Sequence, residues 1–527
     1  MIAPEPVESR RDSWLLLAWG VALFLACVFL HTRHNGFPYF YHLDEPGKVE
    51  QVLTGKWNFH HPMLLLTTTR LAVDLGRVPR QEQPVVEAGR WVSASFVALA
   101  VVALSLLAFA WRGWAPAITA GLALLWHHQL YELAHYMKED SALLAGLSLA
   151  FLMVLACWWK PTILRAALLG LACGLAVSGK YLGVVSLAFA VPVLWIIPER
   201  RGPRLAAFAA AFVLSFVVIN YPLFVQLATF RESFGREMEY VVKGQRGMTR
   251  SVPHAQYWNV FLDNTTPVMW VLILVFLHAR WRERRALSPP ERLIIVFPFA
   301  YALALSFSPK TNDRYFLPAT ALFTLQAAIG TRDLARTFAW RHTRRRWLAG
   351  TISVLLVSQL VSLPRPLDWH AFSEYRRAFL TDDNAALLEW VRKELPPTAV
   401  IVKDSRVLLP DPARARDAAR LGKIPQKVVT VRGPGEKPVR FAADLGTIEE
   451  LRAKGITHAA VSESDYGRFF LAGLRPQAAE RAEFERRKAF YEELLRDGEI
   501  MFERERGTVI YLHPGIRVYR LPDLDPQ

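Results

Sequence analysis

Cysteine is nearly absent, charge is thin, and the chain has no internal repeat or low-complexity stretch. The three cysteines, Cys27, Cys157 and Cys173, all lie inside apolar blocks, so no loop or tail can close an internal disulfide. That excludes a disulfide-stapled scaffold and leaves the cysteines as packing residues. Charged residues are only 21% of the 527 and hydrophobic residues are 52%, which excludes a disordered or fibrous chain. No nucleotide-binding glycine motif occurs, and the C-terminal part holds no Cys/His metal spacing.

What is present is apolar sequence gathered into long blocks. The segment Trp14 to Leu30 carries no charge over about 17 residues, near the lower limit for crossing a hydrocarbon core about 30 Å thick. Blocks of this kind predict spans near 14–30, 90–110, 115–132, 140–158, 163–179, 181–197, 205–226, 258–279, 292–308, 314–330 and 347–363, about eleven in all. No small-residue cleavage signature follows at Leu30-His31-Thr32-Arg33, so the first block is expected to remain as an uncleaved span.

The formal net charge is +16. In a soluble protein this would raise the question of nucleic acid, but here the basic residues bunch between apolar blocks, where membrane orientation explains them. Arg112, Lys160, Arg165, Arg200, Arg201, Arg204, Arg280 to Arg285 and Arg332 to Arg346 fall in alternate short connections, which sets the N-terminus on the cytoplasmic side. With an odd number of spans, everything after Leu363 is then expected outside, together with loops 31–89, 131–139, 227–257 and 309–313. The expected fold class is a polytopic α-helical membrane protein with a C-terminal α/β domain, divided into 1–363 and 364–527. In that tail, Ala399–Lys403, Lys427–Val431, Ile456–Val461 and Thr508–Leu512 read as strands. Thr447–Lys454 and Gln477–Arg496 read as amphipathic helices. Gly433-Pro434-Gly435 reads as a surface turn.

The chemistry-bearing residues gather in the outer loops. Adjacent carboxylates at a bilayer surface usually face water, a cation or a substrate, so Asp44-Glu45 in the long first loop is a candidate site; a helix start at Pro46 capped by Asp44 is the alternative. Tyr39, Phe40 and Tyr41 suit an interface, and Phe59-His60-His61-Pro62-Met63-Leu64 reads as leading a short helix in the membrane surface. Asp140, after Lys138 and Glu139, opens a span: it either caps that helix or supplies a second acid. The histidines lack metal-ligand spacing, and no metal is predicted. Lys180 and Arg314 both break the positive-inside trend. They either snorkel to headgroups or hold a phosphate at the outer surface. Loop 231–250 adds Arg231, Arg236, Lys243, Arg246 and Arg250 on the same side, with Tyr240 and Tyr257 as aromatic flanks.

Asp44-Glu45, His61-Pro62, Lys138-Glu139-Asp140 and Arg314-Tyr315-Phe316-Leu317-Pro318 together resemble the GT-C glycosyltransferases, in particular bacterial relatives of protein O-mannosyltransferases and of the aminoarabinose transferase that modifies lipid A. The resemblance covers roughly residues 10–330. It implies a sugar donor carried on a polyprenyl phosphate, reached from the lipid, and transfer by one inverting displacement without nucleotide or other required cofactor. Carried over, Asp44 is the base that activates the acceptor hydroxyl, Glu45 and Asp140 shape or polarise the site, and Lys180 with Arg314 hold the leaving phosphate. His61, Lys138, Glu139 and Tyr315 belong to the same motifs as substrate-binding positions. The chain departs from the pattern at Met63, where relatives often carry a second proline, and at Pro46. Partners implied are membrane lipids, the lipid-linked donor, and a protein, glycolipid or glycan acceptor; nucleic acid is not among them. A transporter or flippase and an inert scaffold presenting the tail are the rival readings. The absence of repeat symmetry and of broken mid-membrane helices argues against the transporter.

Overall fold

A computed structural model describes residues 10–243, 267–308, 313–338, 376–410, 419–429, 440–471, 476 and 478–522. These fall into two compact units, one running to residue 338 and the other beginning at residue 376. The expected boundary at 363/364, the span 347–363, the turn at Gly433 to Gly435, and Arg246, Arg250 and Tyr257 lie outside the described residues.

The described part of the first unit is helical. Its first nine helices are α1 (Arg10–His31), α2 (Glu45–Thr54), α3 (Leu64–Leu75), α4 (Glu82–Arg112), α5 (Trp114–Leu125), α6 (His128–Ala134), α7 (Glu139–Trp159), α8 (Ile163–Gly179) and α9 (Val185–Ile196). They are followed by α10 (Arg201–Ile219), α11 (Tyr221–Val225), α12 (Leu227–Lys243), α13 (Pro267–Glu283), α14 (Pro289–Ser306) and α15 (Leu317–Phe338). Among the described residues, four helices are long and apolar enough to cross a membrane: Ser13–His31 within α1, then α4, α7 and α10. One apolar core joins α4, α5, α7, α8, α13 and α15 through Leu104, Leu124, Phe151, Leu169, Phe276 and Phe323.

Several expected spans take a different form. The block 115–132 is two helices, because His127 is extended (φ −70°, ψ 121°) and breaks the run between α5 and α6. Twelve residues of α5 make about 18 Å of helix, short of a full hydrocarbon core. The block 205–226 breaks at Asn220, whose buried side chain has hydrogen-bond partners outside its own helix. The helix after His61 begins at Leu64 and runs to Leu75.

Helix α8 is pressed between α7 and α10 at glycines. A Cβ on Gly146 of α7 would lie 2.3 Å from the Ala176 nitrogen, and one on Gly170 would lie 2.2 Å from the Phe208 carbonyl oxygen. Small residues let membrane helices approach to backbone contact, where dispersion and not water release holds them. This crossing brings the start of α7 against the end of α8, and so sets Asp140 beside Lys180.

The second unit is a five-stranded mixed sheet, β1 (Val400–Lys403), β2 (Lys427–Val429), β3 (His458–Ser462), β4 (Glu499–Arg506) and β5 (Pro514–Arg520), in the order β2-β1-β3-β5-β4. Strands β1, β2 and β3 are parallel, while β5 runs antiparallel to β3 and β4. Helices α16 (Asp383–Glu394), α17 (Ile448–Ala453), α18 (Glu463–Tyr466) and α19 (Arg481–Asp497) accompany it. Thr508–Leu512 is not a strand. It forms the turn between β4 and β5, burying Val509 and Leu512, and the pairing edge is the charged run Glu499–Arg506, mostly exposed and so without an alternating apolar signal.

Candidate active site

The loop after α1 delivers Asp44 to the first residue position before α2, yet its carboxylate makes no capping hydrogen bond there. It is paired instead with the ammonium of Lys138, and its backbone nitrogen donates to His42 Nδ1 at 3.2 Å. Asp44 is 51% exposed, whereas Glu45, Glu139 and Asp140 are 0%, 4% and 4% exposed. Of these four acids, Asp44 is the one open to an incoming group. Partial burial pushes its carboxyl up, but Lys138, His42 and Lys48 outweigh that and hold it well below the usual carboxylate range.

Glu45 turns the opposite way. Arg90 of α4 donates to both its oxygens, at 3.0 and 2.6 Å, and the Met137 nitrogen donates to Oε1 at 2.9 Å. Arg90 also donates to the Asn35 and Phe37 carbonyls at 2.5 and 2.7 Å and lies 3.5 Å over the Phe37 ring. Every oxygen of Glu45 is thereby engaged in positioning the first loop against α4 and the segment before α7.

Lys48, one turn along α2, donates to Glu139 Oε2 and to the Met137 carbonyl, both at 2.7 Å. Asp140 receives Lys180 Nζ on one oxygen at 2.7 Å and faces Arg314 Nε at 3.4 Å on the other. The Lys180 ammonium sits 4.0 Å above the Tyr315 ring, and the Tyr301 hydroxyl fixes that residue by donating to its carbonyl at 3.1 Å. Thus α2, α7, the end of α8 and the turn before α15 each contribute a charged group. Lys138 is buried, and burial together with Arg314 and Lys48 pulls its ammonium down to about 8. Lys48 lies against Glu139, Lys138 against Asp44, and Lys180 and Arg314 against Asp140, so the cations and acids of the assembly interleave.

His61 borders this assembly. Burial pulls its imidazole down to about 4 against the field of Glu139, with Lys180 and Lys48 adding to the fall, so the ring is neutral at pH 7. The chain that presents it is pinned at both ends. Tyr181 donates to the Phe59 carbonyl at 3.0 Å, and the Met63 nitrogen donates to Asn220 Oδ1 at 2.9 Å while Asn220 Nδ2 donates to Ser178 Oγ at 2.7 Å. Phe59 takes a left-handed conformation (φ 48°), a strained one for a non-glycine residue that the surrounding packing must hold.

Asp44, Lys138, Asp140, Lys180, Arg314 and Tyr315 are therefore drawn together, with His61 and Glu139 beside them and Glu45 committed to Arg90. Sequence reasoning missed Lys48, Arg90, His42 and Asn220. Lys48 was open to the same criterion that singled out Lys180, a lysine in a loop expected to lack them. Arg90 had no such signal, because it reads as the flank of a span. In the 231–250 loop, Arg231 and Arg236 are exposed on α12, and Arg236 pairs with Glu232 at 3.6 Å. The side chains of Tyr240 and Lys243 are outside the described residues. Among the described residues no group of three or more His, Cys, Asp or Glu could hold a metal ion.

No family model matches the chain. It is 25% identical over 358 residues to undecaprenyl phosphate-alpha-4-amino-4-deoxy-L-arabinose arabinosyl transferase 2 of Proteus mirabilis, covering 62% of this chain and 59% of that protein. To the corresponding arabinosyl transferase of Yersinia pestis it is 25% identical over 269 residues, 49% of this chain and 47% of that one. The chain thus spans less than two thirds of the length of the curated relatives it matches. Among solved structures it is similar to ArnT from Cupriavidus metallidurans bound to undecaprenyl phosphate, with a TM-score of 0.48, 13% identity and coverage of 98% of this chain and 99% of that one. Similarity extends to the archaeal oligosaccharyltransferase AglB from Archaeoglobus fulgidus, with a TM-score of 0.49, 10% identity and coverage of 86% and 71%. The curated relatives are thus aminoarabinose transferases, among the enzymes that the sequence resembles.

Proposed function

We propose that this chain is an integral membrane glycosyltransferase that moves a sugar from a polyprenyl phosphate donor to an acceptor hydroxyl at the outer face of the cytoplasmic membrane. The observation that carries the reading is the joining of one exposed carboxylate, Asp44, to a cationic cradle of Lys138, Lys180 and Arg314. The names of the curated relatives, transferases acting from an undecaprenyl phosphate-linked sugar, support it. The same reading keeps about eleven spans, a cytoplasmic N-terminus and an outer C-terminal domain, and it requires no cofactor.

In the reaction, the acceptor oxygen forms a bond to the anomeric carbon as its proton passes to Asp44. The bond from that carbon to the phosphate oxygen breaks, and its electron pair leaves on the polyprenyl phosphate. Lys180 and Arg314 offset the charge that grows on this oxygen, with Asp140 holding both in place. At rest Asp44 is clamped to Lys138 and is a weak base. A donor phosphate offers Lys138 a second anion, which loosens that clamp and frees Asp44 as the donor arrives. His61, as a neutral ring, and Tyr315 line the cradle; Glu45 and Glu139 act as positioning residues.

The test is transfer of radiolabelled sugar from an undecaprenyl phosphate donor in vesicles. Asp44→Asn should insert and fold as the parent does and lose about 100-fold or more in turnover, as expected for removal of a general base. Retained turnover would place the base elsewhere.

A further inference from the structure

The second unit carries a separate concentration of charge, at the C-terminal ends of its parallel strands. Strand β1 lies between β2 and β3, so the chain leaves β1 towards one edge of the sheet and leaves β3 towards the other. Open α/β sheets bind their ligands at such a switch point, beyond the carboxyl ends of the two strands. Asp404 follows β1 directly and forms the floor. Its carboxylate is fully buried and accepts the Ala442 and Ser462 nitrogens at 2.8 and 3.0 Å and the Tyr491 hydroxyl at 2.7 Å.

Above that floor, Arg406, Arg440 and Arg468 converge on Asp465. Arg406 Nε and Arg440 Nε both lie 3.6 Å from Asp465 Oδ1, beyond hydrogen-bond reach, and Arg468 Nε donates only to the Asp465 carbonyl at 3.1 Å. The guanidinium carbons of Arg440 and Arg468 stand 5.4 and 5.3 Å from the Phe441 ring, so they share one aromatic wall. Among the described residues, Arg468 has no carboxylate at ion-pair distance, and Arg406 Nε and Nη1, Asp465 Oδ1 and Ser464 Oγ are buried without a hydrogen-bond partner. Nearby Arg487 is satisfied by Asp444 and Glu483, at 2.6 and 2.5 Å, and is not part of the surplus.

Two guanidinium groups at one carboxylate, with a third at the backbone carbonyl of the same residue, repel each other. Burial and this crowding pull Arg468 down to about 10, while burial and the neighbouring Asp465 push the Asp404 carboxyl up, which removes part of the compensating negative charge. A structural ion pair needs one arginine per carboxylate, and unfilled donors in a half-buried fork are costly. Planar, bidentate donors of this kind match the oxygens of a phosphate group.

We infer that the switch point beyond the ends of β1 and β3 is a binding site for a phosphate ester, held by Arg406, Arg440 and Arg468. The site is built from residues other than those of the proposed transfer chemistry. Both a soluble sugar phosphate and a lipid-borne phosphomonoester present this chemistry.

Hydrogen exchange of the full-length protein, read by mass spectrometry, separates these sources. One arm adds glucose 1-phosphate to protein in detergent; the other compares nanodiscs containing phosphatidic acid with nanodiscs of phosphatidylcholine alone. Saturable slowing of exchange over 404–406 and 462–468 is expected in at least one arm, and the arm that shows it names the source. Arg440→Gln, at an arginine 42% exposed and so tolerant of change, and Arg468→Gln should each weaken the effect about tenfold. The effect should persist in a Lys180→Gln, Arg314→Gln double variant. If Arg468→Gln fails to fold, Arg440→Gln decides alone. Absence of slowing in both arms, slowing unaffected by Arg440→Gln, or loss of slowing in the Lys180, Arg314 double variant would overturn the proposal.

Discussion

Arg90 and Glu45 form a two-pronged ion pair in which neither side chain has any exposure to solvent. Asp44, one residue earlier, is half exposed. Neighbouring acids thus do opposite work, one buried to fix a loop and one left open to solvent.

Breaking the Arg90–Glu45 pair leaves an uncompensated buried charge. Glu45→Gln and Arg90→Met are each expected to destabilise the first unit by about 3–5 kcal/mol. Thermal unfolding in detergent would register this as a lowered midpoint, with activity lost in step, whereas Asp44→Asn, at a half-exposed carboxylate, should lower the midpoint less and lose turnover out of proportion to it. Equal midpoints for all three variants would refute the division of roles.

Lys180 and Arg314 approach opposite oxygens of Asp140, with Lys180 closer. On the proposed function, replacing either by Gln removes one charge-assisted contact to a donor phosphate. The KM for the donor should then rise about tenfold, with Lys180→Gln the more severe because it also leaves Asp140 without its nearer partner. A donor KM unchanged in both variants would separate the cradle from donor binding.

Lys138 sets an alkaline limit. The folded ammonium gives up its proton near 8 while the unfolded chain keeps it to about 10.5, so between those values the unfolded state holds more protons and stability rises with pH. The cradle loses a positive charge over the same window, so kcat/KM should fall above about pH 8 while the thermal midpoint climbs. In Lys138→Arg the falling limb should move to higher pH, since a guanidinium stays charged. A limb that stays in place in this variant would point to another group.

In the second unit, His513 donates from Nδ1 to Asp383 at 3.0 Å and from Nε2 to the Ala378 carbonyl at 2.7 Å. Burial lowers its pKa, but the two acceptors outweigh burial and raise it above the ordinary value. A raised folded value means that this contribution is full below about pH 6.5 and is lost as pH rises through the folded pKa. His513→Gln should flatten that slope in a pH series of unfolding midpoints for the second unit; an unaltered slope would show that the imidazole does not carry it.

Gly146 tests how packing reaches the site. A side chain there meets the Ala176 backbone, which cannot move aside, so Gly146→Val should force α7 from α8 and cost about 1–3 kcal/mol or more. Because Asp140 and Lys180 sit at the ends of those helices, donor affinity should fall as well. Parent-like donor affinity in this variant would mean that the pair is held by other contacts.

The sequence by itself determined the apolar blocks, most of the helix ranges, and the conspicuous charges in the loops between them, because a long uncharged run or a charge set between two such runs leaves a local mark. It also carried the strands at Val400, Lys427 and His458, of which His458–Ser462 is buried throughout. Local pattern could not place Asn220 as the break in a long block, or Thr508–Leu512 as a buried turn, since both follow from contacts made far along the chain. The partners of the acids were likewise decided only in three dimensions. Asp44 and Glu45 are equivalent in composition and adjacent in order, and their separate fates follow from Arg90 on α4 and Lys138 before α7, residues 45 and 94 positions away. The close crossing at Gly146 likewise sets Asp140 beside Lys180, and a crossing is a property of two surfaces meeting, which no single segment encodes.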